Sequence, residues 1–285
     1  MATDITNHIK RVAIQKNLPD GTRYTSISTE QVEHLAELFQ VKGRQIEIAG
    51  LEENIVPERY ARNMKMFSVQ DHLDLLKSRV SVVGLGGLGG AVIEILARSG
   101  IGYLNLVDGD TFEDSNLNRQ FLSTHYLLEK SKSEAAKTRI SEINSSIVVQ
   151  KHSEYINEKN ARIILDNSDV VVDCLDNIKT RFLLERTSKK IGAPLVSAAV
   201  AGASGHVTSI FPGDQGLKLI YGESEDLTQK GAEASLGCLP QAVTLLAAIE
   251  TSEVIKILLD RGSILRNKLL VIDLMDNTLE VLELT

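Results

Sequence analysis

Glycines between a predicted strand and a predicted helix are the first residues of the chain that could do chemistry. Gly84, Gly86 and Gly89 follow the apolar stretch Val80–Val83, and a helical pattern of apolar residues begins directly after them. Glycines let the backbone turn sharply and approach a phosphate, and the helix N-terminus points N–H groups and partial positive charge at it. Asp108 ends the next predicted strand, where a carboxylate can accept hydrogen bonds from a ribose hydroxyl. The spacing predicts a nucleotide site and by itself would suit NAD.

Polar residues downstream of Asp108 favour ATP over a dinucleotide. Ligands of parallel sheets lie beyond the carboxyl ends of the strands. By that rule, further polar residues are expected at the same edge of the sheet as Gly84 and Asp108: Asn116, Asn118, Arg119, Gln120, Lys130, Lys132 and Asp173–Asp176. A guanidinium, an ammonium and a second carboxylate suit a triphosphate with Mg²⁺, whereas a nicotinamide cofactor carries only a pyrophosphate. A dehydrogenase would also need an acid–base residue near the hydride, and neither His125 nor His152 has an evident partner for that role.

Each of these residues also has a structural explanation when it is taken singly. Asp108 could simply end a strand, Arg119 could form a surface ion pair, and Lys132 could be a solvated helix residue. Asp176 could be the N-cap of the helix predicted to start near Ile178. Their common order and spacing is what predicts a site.

The elements that must position these residues alternate between strand and helix over residues 80–200. The predicted strands are Val80–Val83, Tyr103–Val107, Val148–Lys151, Asp169–Asp173 and Leu195–Ala199. The predicted helices are Ala91–Arg98, Lys130–Asn144, Asn157–Leu165 and Ile178–Ile191. Apolar strands alternating with helices predict an α/β fold, with a doubly wound, Rossmann-like and mostly parallel sheet.

The pattern changes after His206 and predicts a C-terminal antiparallel extension. Val207–Phe211 reads as an antiparallel strand, Pro240–Leu259 as a long helix, and Leu269–Leu274 with Leu279–Leu284 as a hairpin. Between them, residues 213–235 are polar and weakly periodic, which predicts a long crossover loop.

Residues 1–56 are predicted to form a small helical appendage, and residues 57–285 the main domain. Asp4–Gln15 can be a short helix, and Ser28 with Gln31 forms a capping-box pair ahead of a second one. Gln45–Ala49 could be a strand or a loop. Pro57 then starts a helical turn that places Arg59 and Arg62 on one face, and Ser68 caps the next helix. An isolated RxxR of this kind is usually a pair of solvated surface charges.

Composition excludes several classes of protein. The net charge of −7 argues against nucleic acid as the principal partner, because phosphate backbones need clustered Lys and Arg. The two cysteines form no CxxC pair, so a four-cysteine zinc site cannot form.

The N-terminal stretch lacks the apolar segment of a secretory signal. The longest apolar run, Leu239–Leu259, is interrupted by charged residues and predicts a core helix, not a membrane span. We therefore expect a cytoplasmic protein.

Several of these residues fall into motifs that occur together in one protein family. From about Glu58 to Leu284 the chain resembles the MoeB/ThiF/HesA family, the bacterial relatives of ubiquitin-activating enzymes. The motifs are RYAR at 59–62, GLGGLG at 84–89, VDGD at 107–110, SNLNRQFL at 115–122, KSKSEAAK at 130–137 and DCLDN at 173–177. The resemblance implies an adenylyltransferase that uses ATP and Mg²⁺. Its substrate would be the C-terminal carboxylate of a small ubiquitin-like sulfur carrier, MoaD- or ThiS-like and ending in Gly-Gly, activated for molybdopterin, tungstopterin, thiamine or a related thio-cofactor.

The resemblance also assigns roles to individual positions. Asp108 resembles the ribose-binding acidic residue, and Asp176 the aspartate that binds Mg²⁺. Arg62 resembles an arginine that reaches the γ-phosphate from the neighbouring subunit, which implies a homodimer. The implied catalytic residues are Arg62, Arg119, Lys132 and Asp176. The implied nucleotide-binding residues are Gly84, Gly86, Gly87, Gly89, Asp108, Asp110, Asn116, Arg119, Gln120, Lys132, Asp176 and Asn177.

The chain departs from the family pattern in its cysteines. Most members of the MoeB and ThiF type carry two CxxC pairs for zinc, whereas this chain is expected to hold no structural zinc and is HesA-like in that respect. No cysteine lies in residues 213–235, where some relatives have a thiol that takes the acyl group. Cys238 follows that segment near a predicted helix start, which could activate its thiol, but packing is the favoured explanation for Cys238 and for Cys174. Adenylation without a thioester step is therefore expected.

Three other functions stay open. The same site could adenylate a small-molecule or tRNA-linked carboxylate, although the negative charge argues against tRNA. The chain could be an inactive nucleotide-binding scaffold, which the complete set of charged residues argues against. It could also be an NAD-dependent dehydrogenase. The antiparallel extension favours a protein substrate, because it offers a platform to a ubiquitin-like fold.

Overall fold

A computed structural model of the chain describes residues 2–223 and 233–284. Its strands are β1 Ile14–Asn17, β2 Arg23–Ile27, β3 Ile55–Pro57, β4 Arg79–Val83, β5 Tyr103–Val107, β6 Val148–His152, β7 Val170–Asp173, β8 Leu195–Ala201, β9 Ser204–Ile210, β10 Lys268–Asp273 and β11 Thr278–Glu283. Its helices are α1 Ala2–Val12, α2 Thr29–Phe39, α3 Gly43–Glu52, α4 Val69–Lys77, α5 Gly87–Ser99, α6 Lys132–Ile143, α7 Ala161–Leu165, α8 Ile178–Ile191, α9 Lys218–Tyr221, α10 Glu233–Leu236 and α11 Pro240–Leu258. Turns of 3-10 helix cover Glu58–Asn63, Asp114–Asn116 and His125–Leu127.

The larger sheet has the strand order β11-β10-β9-β8-β7-β4-β5-β6. Neighbouring strands from β8 to β6 in this order are parallel, and β9, β10 and β11 extend the sheet as antiparallel strands. This arrangement confirms the predicted fold class, a mostly parallel doubly wound sheet with a C-terminal antiparallel extension.

The central strands are apolar on both faces because helices cover both sides of the sheet. Val80 and Val172 belong to the core cluster that contains α5 and α11 side chains. Val83 and Val171 point into the opposite cluster, which contains side chains of α7 and α8. This two-sided burial fixes the strands firmly, so the loops at their carboxyl ends start from rigid positions.

The N-terminal segment contains a small sheet as well as the predicted helices. Strands β1, β2 and β3 pair in that order, and β3 runs parallel to β2. The capping box of Ser28 and Gln31 is confirmed at the start of α2. Residues Gln45–Ala49 lie inside α3, so neither a strand nor a loop forms there. Strands β1 and β2 are short and partly exposed, which explains why no clear alternation marks them in the sequence.

Other boundaries also differ from the sequence-based prediction. The first predicted helix, Asp4–Gln15, is α1 Ala2–Val12 in the structure, and Gln15 lies in β1. Helix α7 begins at Ala161 and not at Asn157, because the Asn157 side chain accepts from the Lys159 backbone N–H at 2.9 Å and forms a turn. The predicted loop 213–235 contains the short helices α9 and α10, and its residues 224–232 lie outside the described part of the chain.

Helix α11 carries the longest apolar run of the sequence. It packs against α5 and β8, as predicted for a core helix. Within residues 2–223 and 233–284, no helix has the length and apolar character needed to cross a bilayer.

Candidate functional site

The sheet reverses its strand order between β4 and β7, and a cavity opens there. Strands β5 and β6 follow β4 on one side, while β7 and β8 lie on the other. Crevices at such reversals, beyond the carboxyl ends of the strands, are where open α/β sheets bind ligands. The cavity has a volume of about 400 Å³. Ten predicted residues line it: Gly84, Gly86, Gly87, Asp108, Asp110, Arg119, Gln120, Lys132, Asp176 and Asn177.

The glycine turn is shaped by close backbone approaches. Gly84 has φ +89°, and a Cβ there would lie 2.6 Å from the backbone oxygen of Cys174. Gly89 does not line the cavity; a Cβ there would lie 1.8 Å from the Gly84 oxygen. Gly84 therefore allows the loops after β4 and β7 to touch, and Gly89 allows α5 to start directly under the turn. Gly86 is the N-cap of α5 and faces the cavity.

Asp108 is held in place by two backbone donors. Its Oδ2 accepts from the Leu85 N–H at 2.6 Å, and its Oδ1 accepts from the Asp110 N–H at 2.7 Å. Burial raises the pKa of Asp108, and these two hydrogen bonds offset only part of that effect. The carboxylate thus has a fixed orientation at the end of β5, and each oxygen keeps a lone pair that can accept from a ribose hydroxyl.

Lys132 is an ion-paired side chain that opens onto the cavity, and not a solvated helix residue. Its Nζ lies 3.1 Å from Asp110 Oδ2, and the residue is 6% exposed. Burial raises the pKa of Asp110, but hydrogen bonds from Tyr155 and Lys132 and the charge of Lys132 outweigh it, so the pKa lies below its ordinary value. The Asp110 carboxylate is therefore charged at neutral pH.

The loop after β5 presents Arg119 and Gln120 to the cavity. Arg119 Nη1 donates to the Ser115 backbone oxygen at 2.8 Å and to Asn118 Oδ1 at 3.0 Å. These contacts hold the guanidinium within its own loop, and no ion pair of Arg119 occurs among the described residues. Gln120 is 6% exposed, and its Oε1 is a buried acceptor without a hydrogen-bond partner in the described part of the chain.

Asn116, which the resemblance implies as a nucleotide-binding residue, does not line the cavity. Its side chain accepts from the Glu113 N–H at 3.1 Å, and its backbone oxygen accepts from the N–H groups of Arg119 and Gln120. Asn116 is buried, so in this structure it shapes the loop that carries Arg119.

The DCLDN segment divides its two aspartates between separate environments. Asp173 is fully buried, 3.2 Å from the Arg181 guanidinium, and accepts from Ser197 Oγ at 2.7 Å. Asp176 is exposed and lines the cavity. The N-cap of α8 is Asn177, whose side chain accepts from the Thr180 N–H, so the capping explanation of Asp176 is wrong.

The RxxR pair is also divided. Arg59 Nε lies 3.4 Å from Oε1 of the fully buried Glu47, so this arginine ties α3 to the 3-10 turn Glu58–Asn63. Arg62 is exposed and lines a different cavity, of about 360 Å³, with Lys16 and Tyr24. The two arginines therefore do not share one solvated face, and Arg62 does not reach the nucleotide cavity of its own chain.

Several cavity residues were not predicted from the sequence, among them Arg181 and Tyr155. Arg181 lies on α8, eight positions after Asp173, and donates to the backbone oxygens of Ala198 (2.8 Å) and Leu175. Tyr155 lies in the loop after β6 and donates to Asp110. The rule that places ligands at strand ends would have found Tyr155, because β6 ends at the same rim as β5.

The donor set of the cavity suits Mg²⁺ together with a polyphosphate. Mg²⁺ is commonly held by one or two carboxylates, with phosphate oxygens and water completing its shell. Asp176 offers such a carboxylate at the cavity mouth. Groups of three or more His, Cys, Asp or Glu side chains placed to hold a metal do not occur among the described residues, so a protein-only metal cage is not formed there.

Fold and site together define a Rossmann-like nucleotide-binding protein. The family model described as "ThiF family" matches residues 60–285, and the chain belongs to that family. It is 38% identical over 223 residues to the adenylyltransferase and sulfurtransferase MOCS3 of Drosophila willistoni, covering 75% of this chain and 48% of that protein. It is 35% identical over 228 residues to the SAMP-activating enzyme E1 of Haloferax volcanii, covering 78% of this chain and 83% of that enzyme. The chain thus spans about half the length of the MOCS3 relatives.

Solved structures support the fold. The crystal structure of E. coli MccB with ATP has a TM-score of 0.65 and 24% identity, covering 89% of this chain and 82% of that one. The crystal structure of PaaA has a TM-score of 0.66 and 23% identity, covering 80% and 82%. At these identities the likeness concerns the fold alone.

Proposed function

We propose that this protein adenylates the C-terminal carboxylate of a small ubiquitin-like sulfur carrier, MoaD- or ThiS-like and ending in Gly-Gly. ATP would be the second substrate and pyrophosphate the leaving group. The observation that carries this proposal is one cavity lined by the glycine turn, Asp108, two cations and Asp176. Membership of the ThiF family supports the chemistry, and the names of the MOCS3 and SAMP-activating relatives support the class of substrate.

The charges in the cavity fit this reaction. A carboxylate attacking an α-phosphate brings two anions together, so catalysis must come from positioning and from charge cancellation. Arg119 and Lys132 supply positive charge inside the cavity. Asp176 would hold Mg²⁺, which neutralises phosphate oxygens when it is bound. No general base is required, because a terminal carboxylate is already ionised at neutral pH.

Arg62 completes the site only if two copies of the chain associate. It lines a cavity beside the N-terminal segment and not the nucleotide cavity of its own chain. We therefore propose a homodimer in which Arg62 of each subunit reaches the γ-phosphate bound by the other. The activated carrier would serve the cytoplasmic synthesis of molybdopterin, tungstopterin, thiamine or a related sulfur-containing cofactor.

The test is ATP–pyrophosphate exchange with a panel of purified carriers ending in Gly-Gly. We expect exchange with at least one carrier, and none with the same carrier lacking its terminal glycine. Exchange supported by a small-molecule or tRNA-linked carboxylate instead would replace the proposed substrate. ATP binding without exchange under any condition would indicate an inactive scaffold and contradict the proposal.

A further inference from the structure

Tyr155 is an exposed aromatic residue that lies on the wall of the nucleotide cavity. It is 67% exposed and follows β6, the strand that pairs with β5, which Asp108 follows directly. A Cβ on Gly109 would lie 2.9 Å from Cδ2 of the Tyr155 ring. The ring therefore packs against the backbone of Gly109, where a side chain would clash with it.

The hydroxyl group of Tyr155 begins a chain of polar contacts that ends at a cation. It donates to Asp110 Oδ1, while Asp110 Oδ2 holds the Lys132 ammonium at 3.1 Å. The Asp110 backbone N–H in turn donates to Asp108 Oδ1 at 2.7 Å. One carboxylate thus links an exposed tyrosine to the buried lysine of the site.

The position of Asp110 poses an electrostatic problem for phosphate binding. A carboxylate at salt-bridge distance neutralises Lys132, so a polyphosphate must compete with Asp110 for the ammonium. The Tyr155 hydroxyl, which donates to the other oxygen of Asp110, stabilises part of the negative charge of the carboxylate and fixes the orientation of the carboxylate. Removing that donor leaves Lys132 as the strongest partner of Asp110, and the ammonium becomes less available to a ligand.

We propose that Tyr155 is a positioning residue of the nucleotide site that acts on Lys132 through Asp110. This inference rests on the proposed function only in that the cavity binds ATP. The hydroxyl has one role, in the chain of contacts from Tyr155 through Asp110 to Lys132, which we call the relay. The ring has another role, as part of the cavity wall beside Gly109. The two parts are separable, because phenylalanine keeps the ring and removes the hydroxyl.

The test is a double-mutant cycle read by calorimetric titration with a non-hydrolysable ATP analogue and Mg²⁺. The four proteins are the wild type, Tyr155→Phe, Asp110→Asn and the double variant. We expect Tyr155→Phe to raise Kd about threefold to tenfold, less than a hydrogen bond to a charged group usually contributes, because Tyr155 is largely exposed. In the Asp110→Asn background the same change should alter Kd less than about twofold, because the relay is already broken.

Tyr126→Phe is the matched control, since Tyr126 is 81% exposed and does not line the cavity. It should leave Kd unchanged, and thermal unfolding should show that all variants fold. An unchanged Kd in Tyr155→Phe, or an equal loss in both backgrounds, overturns the inference. A wild type that does not bind the analogue overturns both the inference and the proposed function. A wild type that binds it but shows no carrier-dependent exchange overturns the proposed function alone.

Discussion

The floor and the rim of the nucleotide cavity contain the same kinds of charged residue in opposite surroundings. We use floor for the buried cluster of Asp173, Arg181 and Glu250, which are 0%, 4% and 0% exposed and of which Arg181 lines the cavity. We use rim for Arg119 and Asp176, which are open to the cavity. In the floor, Asp173 and Arg181 form an ion pair, whereas Glu250 Oε1 has no hydrogen-bond partner among the described residues. In the rim, the charged groups face the cavity where a ligand would lie. Between these two groups, burial distinguishes support from chemistry where residue type does not, whereas Lys132 is buried and still opens onto the cavity.

The burial of the floor has a large effect on the pKa of Glu250. Burial raises its pKa well above the ordinary value, and the charge of Asp173 adds to that effect. Its Oε2 accepts from Cys174 Sγ at 3.6 Å. Burial also raises the pKa of the Cys174 thiol, as do the nearby carboxylates, so this cysteine is neutral and suited to packing.

The largest expected effect is on stability, in the floor. Arg181→Met leaves Asp173 buried without its cation, and breaking a buried ion pair from one side costs about 3–5 kcal/mol. Urea denaturation should show that loss in the free energy of unfolding. The double variant Asp173→Leu/Arg181→Met removes both charges and should recover part of it. Equal stability of Arg181→Met and the wild type would remove the distinction between floor and rim.

The next effect is on activity, in the rim. Arg119→Ala should lower the rate of carrier-dependent exchange by about 10²–10³, the scale for one preorganised donor. Its unfolding free energy should change by less than about 0.5 kcal/mol, as for other surface substitutions. Arg162→Ala, which alters an exposed arginine of α7, is the control and should leave both quantities unchanged. A large loss of stability in Arg119→Ala would place this residue with the floor.

A third effect concerns pH and lies away from the cavity, at a buried histidine of α4. His72 is 2% exposed, and burial lowers its pKa from 6.5 to about 4. Below pH 6.5, His72 becomes protonated in the unfolded chain but stays neutral in the folded chain until about pH 4. The free energy of unfolding therefore falls as the pH is lowered through that interval. The contribution of His72 should reach roughly 3 kcal/mol at its lower end.

His72→Phe tests this contribution while keeping the ring that stacks on Tyr60. Unfolding midpoints measured from pH 7 to pH 4.5 should fall less steeply in the variant than in the wild type. His34→Phe, at an exposed position of α2, should leave the slope unchanged. Identical slopes in all three proteins would show that His72 does not govern acid sensitivity.

The smallest expected effect is at Cys238. This residue lines the cavity, and its Sγ contacts the Val200 backbone oxygen at 3.6 Å. Because the nucleophile of adenylation is a carboxylate, Cys238→Ala should keep exchange within about threefold of the wild type. Mass spectrometry under non-reducing conditions should find no thioester between carrier and enzyme. A trapped thioester on Cys238 would add a step to the reaction.

The fold was predictable where one physical signal dominated. Apolar strands such as Val80–Val83 followed by glycine and an amphipathic helix fix a βα unit locally, and repeated units leave few topologies. The positions of Asp108 and Asp176 follow from that topology, because the carboxyl ends of parallel strands lie at the same edge of the sheet. The small N-terminal sheet was missed because β1 and β2 are short and partly exposed, with no alternation to read.

Side-chain roles that depend on tertiary contacts could not be read from the sequence. Arg59 and Arg62 belong to one motif, yet only the presence of the buried Glu47, contributed by α3, assigns Arg59 to structure. Asn116 lies in a polar loop that predicts ligand contact, and its hydrogen bonds turn out to shape the loop. The strand-end rule could have placed Tyr155 at the cavity, but its contact with Asp110, 45 positions away, cannot be inferred from any local pattern.

A crystal structure with a non-hydrolysable ATP analogue and Mg²⁺ tests the central claim most directly. We expect the ribose on Asp108, the phosphates between the glycine turn, Arg119 and Lys132, and the metal on Asp176. Phosphates bound away from these cations, or a metal held by other residues, would contradict an adenylation site at the rim of this sheet.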